Sequence, residues 1–285
     1  MPKSKKNQKY GKLPPKEAET NPWDTLCVDL IGPYMISQKG KNPLKLWCLT
    51  INDPATGWFE MAQIPNKTAA ETADITKKNW FTRYPLPQQI VFDRGTKFMA
   101  ELAKMCHNDY GLKRKPITTR NPQSNATIER IHQTIGNIIR TFDVSNIVNN
   151  DPWSDILDAT MFAVRATYHT TVQAYLMQLV FGKDSILKIN HVSDWEHIRQ
   201  RKQLQINHNN KRENMQRNNH QYKVGDKILV KRKKNSKHEL EFMGTFPITQ
   251  INDNGTVRFH KGIINDATTI RGINHSSTKQ QKVFC

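Results

Sequence analysis

The sequence predicts an α/β protein, a mixed five-stranded sheet flanked by helices, followed by a helical linker and a small β-rich module. Three observations predict it. Within residues 21–185, short apolar runs of strand length alternate with longer segments whose apolar residues recur at helical spacing. Residues 193–217 are polar, basic and nearly free of Gly and Pro, which is typical of a helical linker. From residue 222 onward, short strand-like runs alternate with turns, including the hairpin signal Asn254-Gly255.

The first predicted strand carries a candidate functional residue. Leu26 and Val28 fall on one face of a period-two pattern, which places Asp29 on the opposite face. Gly32-Pro33 is expected to end this strand, because Pro has no N–H for the strand ladder.

The other elements of the first part are marked by strand runs and helix caps. Residues 44–51 and 58–64 are strand-like around a turn, so the sheet is expected to begin as three antiparallel strands. The remaining predicted elements are a helix from Thr68 to Tyr84 opened by a capping box, a buried strand at 90–93, a helix at 98–110 closed by Gly111, a strand at 112–117, a helix from Asn121 to Phe142 and a helix from Asp151 to Tyr168.

The last part of the chain is predicted to form a small SH3-like barrel. Its strand-like runs, residues 222–230, 246–251 and 256–259, are short and are separated by turns. The whole chain is thereby divided into a basic N-terminal arm, an α/β core, a basic helical linker and a C-terminal module, at residues 1–20, 21–185, 186–220 and 221–285.

Three acidic residues far apart in the sequence stand out. Asp29 lies on the first predicted strand, and Asp93 ends a buried strand, at the kind of sheet edge where enzymes commonly hold functional groups. Glu129, with 35 residues between it and Asp93, lies on a helix at the rim of the apolar stripe. Taken singly, an Asp after a strand is more often a turn former and a helical Glu is more often solvated. The joint arrangement favours one shared site.

Three such carboxylates suit divalent cations. Mg²⁺ prefers oxygen ligands in near-octahedral geometry and takes only a few carboxylates, with water and substrate phosphate oxygens completing its shell. Two such ions about 3.5–4 Å apart stabilise both the attacking and the leaving oxygen of a phosphodiester displacement. The three acids therefore predict a metal-dependent enzyme that acts on DNA ends.

Three segments of the chain resemble the integrases of gypsy-like LTR retrotransposons and retroviruses: residues 22–33, 91–98 and 121–130. The resemblance extends over nearly the whole chain. It implies a ribonuclease-H-like core in which Asp29, Asp93 and Glu129 hold two Mg²⁺ or Mn²⁺ ions. It also implies an oligomeric enzyme that processes the 3′ ends of element DNA and joins them to target DNA by direct in-line attack. The implied location is the nucleus during the reaction, with intracellular, cytoplasmic particles beforehand.

The chain departs from the family pattern at several positions. Thr245 stands where the C-terminal Gly-Pro-Tyr/Phe module usually has Pro, residues 174–177 lack the usual Ser-Pro or Thr-Pro step, and Lys97 stands where Glu or Gln is common. These changes leave open that this copy is inactive. The His₂Cys₂ zinc module that usually opens such integrases is not recognisable, which leaves open its loss or its truncation upstream of Met1.

The charge of the chain predicts double-stranded DNA as its partner. The formal net charge is +18, and residues 199–237 hold thirteen Lys and Arg against two acids. A solvated, weakly ordered connector is the alternative, but contact with phosphates is favoured because it releases counterions. The candidate DNA contacts are Gln123, Asn125, Arg130, His132, Lys211, Arg212, Lys231, Arg232, Lys233 and Lys234.

Each of these contacts has an alternative interpretation. The residues near the triad also fit ordinary surface roles, and a solvent-facing His132 is at least as good an interpretation as a functional one. The run 231–234 equally resembles a nuclear localisation signal.

The four cysteines are scattered along the chain, at Cys27, Cys48, Cys106 and Cys285. This spacing predicts neither a disulfide framework nor a zinc site, so no zinc is expected in this chain. Cys27 and Cys48 are expected to be buried. No apolar run approaches the length of a membrane span and no signal peptide opens the chain, so an intracellular protein without a membrane partner is expected.

Two other functions remain open from the sequence. A domesticated or catalytically decayed DNA-binding protein would keep the basic surface and lose the metal-dependent chemistry. A different ribonuclease-H-like enzyme, such as a nuclease or a transposase, would cleave nucleic acid by related chemistry. Mg²⁺-dependent joining of DNA ends separates these functions.

Overall fold

The computed structural model describes residues 9–18, 21–38, 41–66, 68–93, 100–117, 132–133, 135–137, 152–170, 172–184, 186–187, 189–232, 242–262 and 264–276. The strands, in chain order, are β1 (Lys9–Tyr10), β2 (Thr25–Gln38), β3 (Lys41–Asn52), β4 (Phe59–Gln63), β5 (Gln89–Asp93), β6 (Lys113–Ile117), β7 (Tyr168–His169), β8 (Ala174–Tyr175), β9 (Arg217–Asn218), β10 (Lys227–Lys231), β11 (Phe242–Ile251), β12 (Thr256–Lys261), β13 (Ile264–Thr269) and β14 (Ile273–His275). The helices are α1 (Ala69–Thr76), continued by a π turn at Lys77–Phe81, α2 (Ala100–Lys104), continued by a π turn at Met105–Asp109, α3 (Pro152–Arg165), α4 (Leu176–Phe181) and α5 (Trp195–Asn214), with a 3₁₀ turn at Ile270–Gly272. Residues 132–133 and 135–137 are also helical.

The chain forms two compact units. The core unit comprises residues 18–117 and 122–202, and the terminal unit comprises residues 1–17, 118–121 and 203–285. Within the described residues of both units, no helix is both long and apolar enough to cross a membrane.

The core unit is built on a five-stranded mixed sheet in the order β4-β3-β2-β5-β6. The strands β2, β3 and β4 pair in antiparallel fashion, whereas β5 runs parallel to both β2 and β6. The mixed sheet and its antiparallel start, both predicted from the sequence, are confirmed. The central strand β2 therefore has an antiparallel neighbour on one side and a parallel neighbour on the other.

The prediction that Gly32-Pro33 ends the first strand is wrong, because β2 continues well past these residues. The pairing with β3 shifts between Ile31 and Tyr34, which makes Gly32-Pro33 a bulge. Gly32 has a φ of +115°, and a Cβ at this position would lie 2.5 Å from the carbonyl oxygen of Leu46. Gly fits this backbone, and a bulge tolerates the missing N–H of Pro.

Helices pack on this sheet and enclose the main apolar core. Thr68 caps α1, since its Oγ1 accepts the N–H of Glu71 at 3.2 Å, as predicted. The Glu71 carboxylate turns back further than a capping box requires and accepts the N–H of Asn66 at 3.0 Å. The helix predicted from Asp151 to Tyr168 ends earlier, at Arg165, because Tyr168 lies in β7 and pairs with Tyr175 of β8. Cys27, Cys48 and Cys106, the cysteines in the described part of the chain, are buried and form no disulfide.

The predicted turn between β3 and β4 is organised by a buried carboxylate. Asp53 accepts the N–H of Ala55 at 3.0 Å and the N–H and hydroxyl of Thr56 at 3.1 and 2.7 Å. Burial raises the pKa of Asp53, against the effect of these hydrogen bonds. The ammonium of Lys202, on α5, donates to the carbonyls of Pro54 (3.1 Å) and Ala55, and its burial lowers its pKa to about 8.

The terminal unit contains a five-stranded antiparallel sheet in the order β13-β12-β11-β10-β14. Its strands β13 and β14 lie at opposite edges, yet only the 3₁₀ turn Ile270–Gly272 connects them. In a flat sheet, four strand spacings would separate these edges by about 19 Å. Four residue steps span at most about 14 Å, so the sheet must curl to bring its edges together. The curled sheet encloses a small core that contains Ile228, Val257 and Phe259.

The N-terminal segment is part of the terminal unit. The strand β1 pairs in parallel with β9, and the N–H of Gly11 donates to the carbonyl of Asn218 at 3.1 Å. The buried guanidinium of Arg217 donates to the carbonyls of Gly11 and Ile270, each at 2.8 Å. The side chain of Arg217 thus connects β9 with the N-terminal segment and with the turn between β13 and β14.

Candidate active site

Asp29 lies on the central strand of the core sheet, on the face that the sequence predicts. Leu26 and Val28 are buried in the main core. Cys27, on the opposite face, packs instead against Val91 of β5 in a separate small cluster. Asp29 follows on the same face as Cys27, because side chains alternate along a strand. Its side chain is half-buried, and its Oδ1 accepts the N–H of Leu30 at 2.9 Å.

Asp93 lies at the end of the neighbouring parallel strand. The register of β2 and β5 pairs Cys27 with Val91. This is the last pair of the two strands, and Asp29 and Asp93 each lie two residues beyond it. Adjacent strands lie about 4.8 Å apart. Two of the three predicted acids therefore lie on neighbouring strands, each two residues beyond the paired part, and for Asp93 the structure describes the backbone alone.

His132 lies on the same face of the sheet as Asp29. Asp29 and Thr50 are directly opposite one another in the antiparallel pair β2–β3, and opposite residues point to the same face. Nε2 of His132 lies 2.8 Å from Oγ1 of Thr50, and that hydroxyl lies 3.1 Å from the carbonyl oxygen of Asp29. Burial lowers the pKa of His132 to about 4. The side chain is therefore half-buried against the sheet and neutral at physiological pH, not solvent-facing.

The remaining predictions near the triad fall outside the described residues. These residues are Glu129, Gln123, Asn125 and Arg130. Among the side chains that the structure describes, no three His, Cys, Asp or Glu groups come together as a metal site. Asp29 is the one member of the predicted triad whose side chain the structure describes.

The six basic DNA-contact candidates beyond residue 202 belong to the terminal unit. Lys211 and Arg212 are exposed in the last turns of α5, and Lys231 and Arg232 are exposed at the end of β10. Lys233 and Lys234 lie beyond the described residues. The side chains of these four candidates are therefore open to solvent, where a polyanion could reach them.

Thr50 is a site residue that the sequence reasoning missed. It is only 2% exposed and lies in β3 among apolar neighbours. The only local signal is a hydroxyl in an apolar strand run. Thr50 lies 21 positions after Asp29 in the sequence, and only the pairing of β2 with β3 brings the two residues together.

Comparisons with known proteins agree with this architecture, although no protein-family model matches the chain. The chain is 23% identical over 264 residues to a retrovirus-related Pol polyprotein from transposon 412 of Drosophila melanogaster, a match that covers 85% of this chain and 21% of that protein. It is 25% identical over 149 residues to the human gypsy retrotransposon integrase-like protein 1, covering 52% of this chain and 27% of that protein. The chain thus spans between a fifth and about a quarter of the length of these relatives.

The fold is also similar to that of a solved structure. A chain of the simian T-cell lymphotropic virus intasome, in complex with PP2A regulatory subunit B56 gamma, superimposes with a TM-score of 0.60 at 11% identity, covering 96% of this chain and 85% of that chain. At this identity the likeness establishes the fold, and the mixed sheet with flanking helices fits the ribonuclease-H-like class. The chain is therefore similar in sequence to a retrovirus-related Pol polyprotein and to a gypsy retrotransposon integrase-like protein, and similar in fold to a chain of a retroviral intasome, in agreement with the resemblance of its three sequence segments.

Proposed function

We propose that this protein is a retrotransposon integrase that processes the 3′ ends of element DNA and transfers them into target DNA. The observation that carries the proposal is the parallel pairing of β2 with β5, because Asp29 and Asp93 each lie two residues beyond its last pair, Cys27 and Val91. His132 on the Asp29 face adds support. The sequence predicts Glu129 on the same helix as His132, and residues three apart are neighbours on a helix.

The donor set fits divalent metal. Asp29, Asp93 and Glu129 would hold Mg²⁺ or Mn²⁺, two ions per site, because carboxylate oxygens are the ligands these hard cations prefer. When bound, the ions would neutralise charge on the phosphodiester and lower the pKa of bound water. The chain's own contribution is to hold the carboxylates in place, and the hydrogen bond from Leu30 to Asp29 Oδ1 limits the rotation of one of them.

The reaction has two displacements at the same site. In the first, a water oxygen forms a bond to a phosphorus near the end of the element DNA, and the phosphorus–oxygen bond to the 3′ oxygen breaks, which leaves a recessed 3′-hydroxyl. In the second, this hydroxyl attacks a target phosphodiester, and the target's own 3′ oxygen leaves. Neither step needs a covalent bond to the protein, so the side chains act by positioning and by electrostatics.

The rest of the chain provides the DNA-binding surface. The curled antiparallel sheet of the terminal unit is the SH3-like module, and the divisions at residues 20, 185 and 220 separate it and the helical linker from the catalytic core. Double-stranded DNA is the partner, bound by a homo-oligomer in the nucleus. The overall charge of +18 and the exposed cations of α5 and β10 support this assignment.

The test of the function is Mg²⁺-dependent joining of a labelled duplex with element-end sequence to a plasmid. We expect joined products with Mg²⁺ and none with excess chelator. Cleavage without joining would identify a nuclease instead, and DNA binding without either reaction would identify a decayed DNA-binding protein. Either result would overturn the proposed strand transfer.

The DNA-binding role of α5 predicts a change in salt dependence. Each neutralised phosphate contributes about 0.9 to the slope of log affinity against log salt. The double variant Lys211→Gln/Arg212→Gln is therefore expected to reduce this slope by nearly two, as measured by fluorescence anisotropy with a labelled duplex. The double variant Lys77→Gln/Lys78→Gln is the matched control, because both lysines are exposed in the core unit. Equal slopes for the two variants would exclude a specific contact at α5.

A further inference from the structure

The hydroxyl of Thr50 has two partners, and together they fix where the protons lie. The carbonyl oxygen of Asp29 can only accept a hydrogen bond, so the single hydroxyl proton of Thr50 points to it. Nε2 of His132, 2.8 Å from the same hydroxyl, must then be the donor. The geometry assigns His132 the tautomer that carries its proton on Nε2 and leaves Nδ1 bare.

This chain of hydrogen bonds ends on β2, close to an irregularity in its pairing with β3. Asp29 lies just before the bulge at Gly32-Pro33, where the ladder between β2 and β3 is interrupted. Thr50 is almost fully buried, so water cannot easily replace either of its partners. Ile135, one helical turn beyond His132, is fully buried in the core and anchors that helix. Helix and strand are thus connected beside Asp29 by a buried polar contact.

We propose that His132 acts through Thr50 as a positioning residue, holding the backbone of Asp29, and with it the carboxylate, in the geometry that the reaction needs. This inference rests on the proposed function. It assigns His132 a role distinct from the DNA contact considered from the sequence. A positioning role predicts that the rate of the bound complex falls while affinity for DNA stays the same.

Four variants of the full chain test the kinetic part. Thr50→Val keeps the shape and removes the hydroxyl, and His132→Phe keeps a ring and removes the donor. Both are expected to lower kcat for joining by about tenfold to a hundredfold, since small misplacements at a reacting centre have effects of this size. The KM for duplex ends should stay within about twofold. Thr50→Ser and His132→Gln, which retain a hydroxyl and an N–H donor, are expected to recover most of the rate.

The double variant Thr50→Val/His132→Phe shows whether the two residues act in series. If they do, its kcat equals that of the slower single variant, because the contact is already lost in each single variant. Multiplicative losses, or a raised KM with unchanged kcat for the His132 variants, would overturn the positioning role. The second of these results would indicate direct DNA contact.

A measurement independent of activity tests the contact itself. Nitrogen-15 NMR of the histidine rings, with His132→Gln identifying the signals of His132, should show a protonated Nε2 and a bare Nδ1 in the wild type at pH 7. Thr50→Val should shift this ring toward a tautomer mixture. A proton on Nδ1, or no response to Thr50→Val, would overturn the inference. If the wild type joins no DNA, the proposed function fails, and the NMR result alone decides whether the contact exists.

Discussion

Asp29→Asn is expected to lower Mg²⁺-dependent joining about a thousandfold or more, and Asp93→Asn should have the same effect. Asn preserves the shape of the side chain but removes the charge. Losing a ligand interaction of several kcal/mol corresponds to about three or more factors of ten in rate. DNA affinity should stay within about twofold, because the basic surface lies in the terminal unit. Joining of labelled duplex ends to plasmid measures the rate, and fluorescence anisotropy measures the affinity.

The matched control is Asp74→Asn, because Asp74 is exposed on α1 and its replacement changes the net charge by the same amount. Its joining rate should equal that of the wild type. A comparable loss in Asp74→Asn would mean that net charge, not the site, is responsible. Undiminished joining by either Asp29→Asn or Asp93→Asn would refute the proposed triad.

The sequence predicts the position of Asp29 on its strand better than it predicts which residues lie around it. The alternation of Leu26 and Val28 with polar residues is a local signal, and it places Asp29 on the face opposite Leu26 and Val28, as the structure has it. The apolar run that ends at Asp93 is an equally local signal. That the two residues lie on neighbouring strands depends on the parallel pairing of β2 with β5, segments more than sixty residues apart. No local pattern encodes such a register, although the order of strands and helices favours a parallel neighbour.

The features that sequence reasoning missed are all long-range. The sequence predicts a strand end at Gly32-Pro33, but these residues form a bulge inside a longer strand, where Gly32 lies close to the carbonyl oxygen of Leu46. The sequence predicts a basic N-terminal arm without indicating what it contacts, whereas Arg217, 206 positions away, donates to the carbonyl of Gly11. Each outcome depends on a backbone atom that only the folded chain brings near.

Arg165→Met is expected to destabilise the core unit by about 3–5 kcal/mol, because it leaves the buried carboxylate of Glu60 without its positively charged partner. The guanidinium of Arg165 lies 2.9 Å from Glu60, and the two side chains are only 16% and 6% exposed. It also donates to the carbonyl of Phe59 and lies 4.1 Å from the ring centroid of Trp58. The hydroxyl of Tyr84 donates to the same Glu60 oxygen. Urea unfolding followed by tryptophan fluorescence measures the loss.

Tryptophan fluorescence is selective here, because all six tryptophans lie within residues 18–202, the core unit. Arg199→Met is the matched control. Arg199 also pairs with a carboxylate, Glu196 at 3.3 Å, but the two side chains are 52% and 64% exposed, so its loss should change stability by no more than about 0.5 kcal/mol. The double variant Glu60→Leu/Arg165→Met should lose less than the sum of its two single variants, since it leaves neither charge buried alone. If Arg165→Met proved no more destabilising than Arg199→Met, the buried pair would not be a stabilising contact of the core. If the losses of the double variant were additive, the two residues would contribute independently.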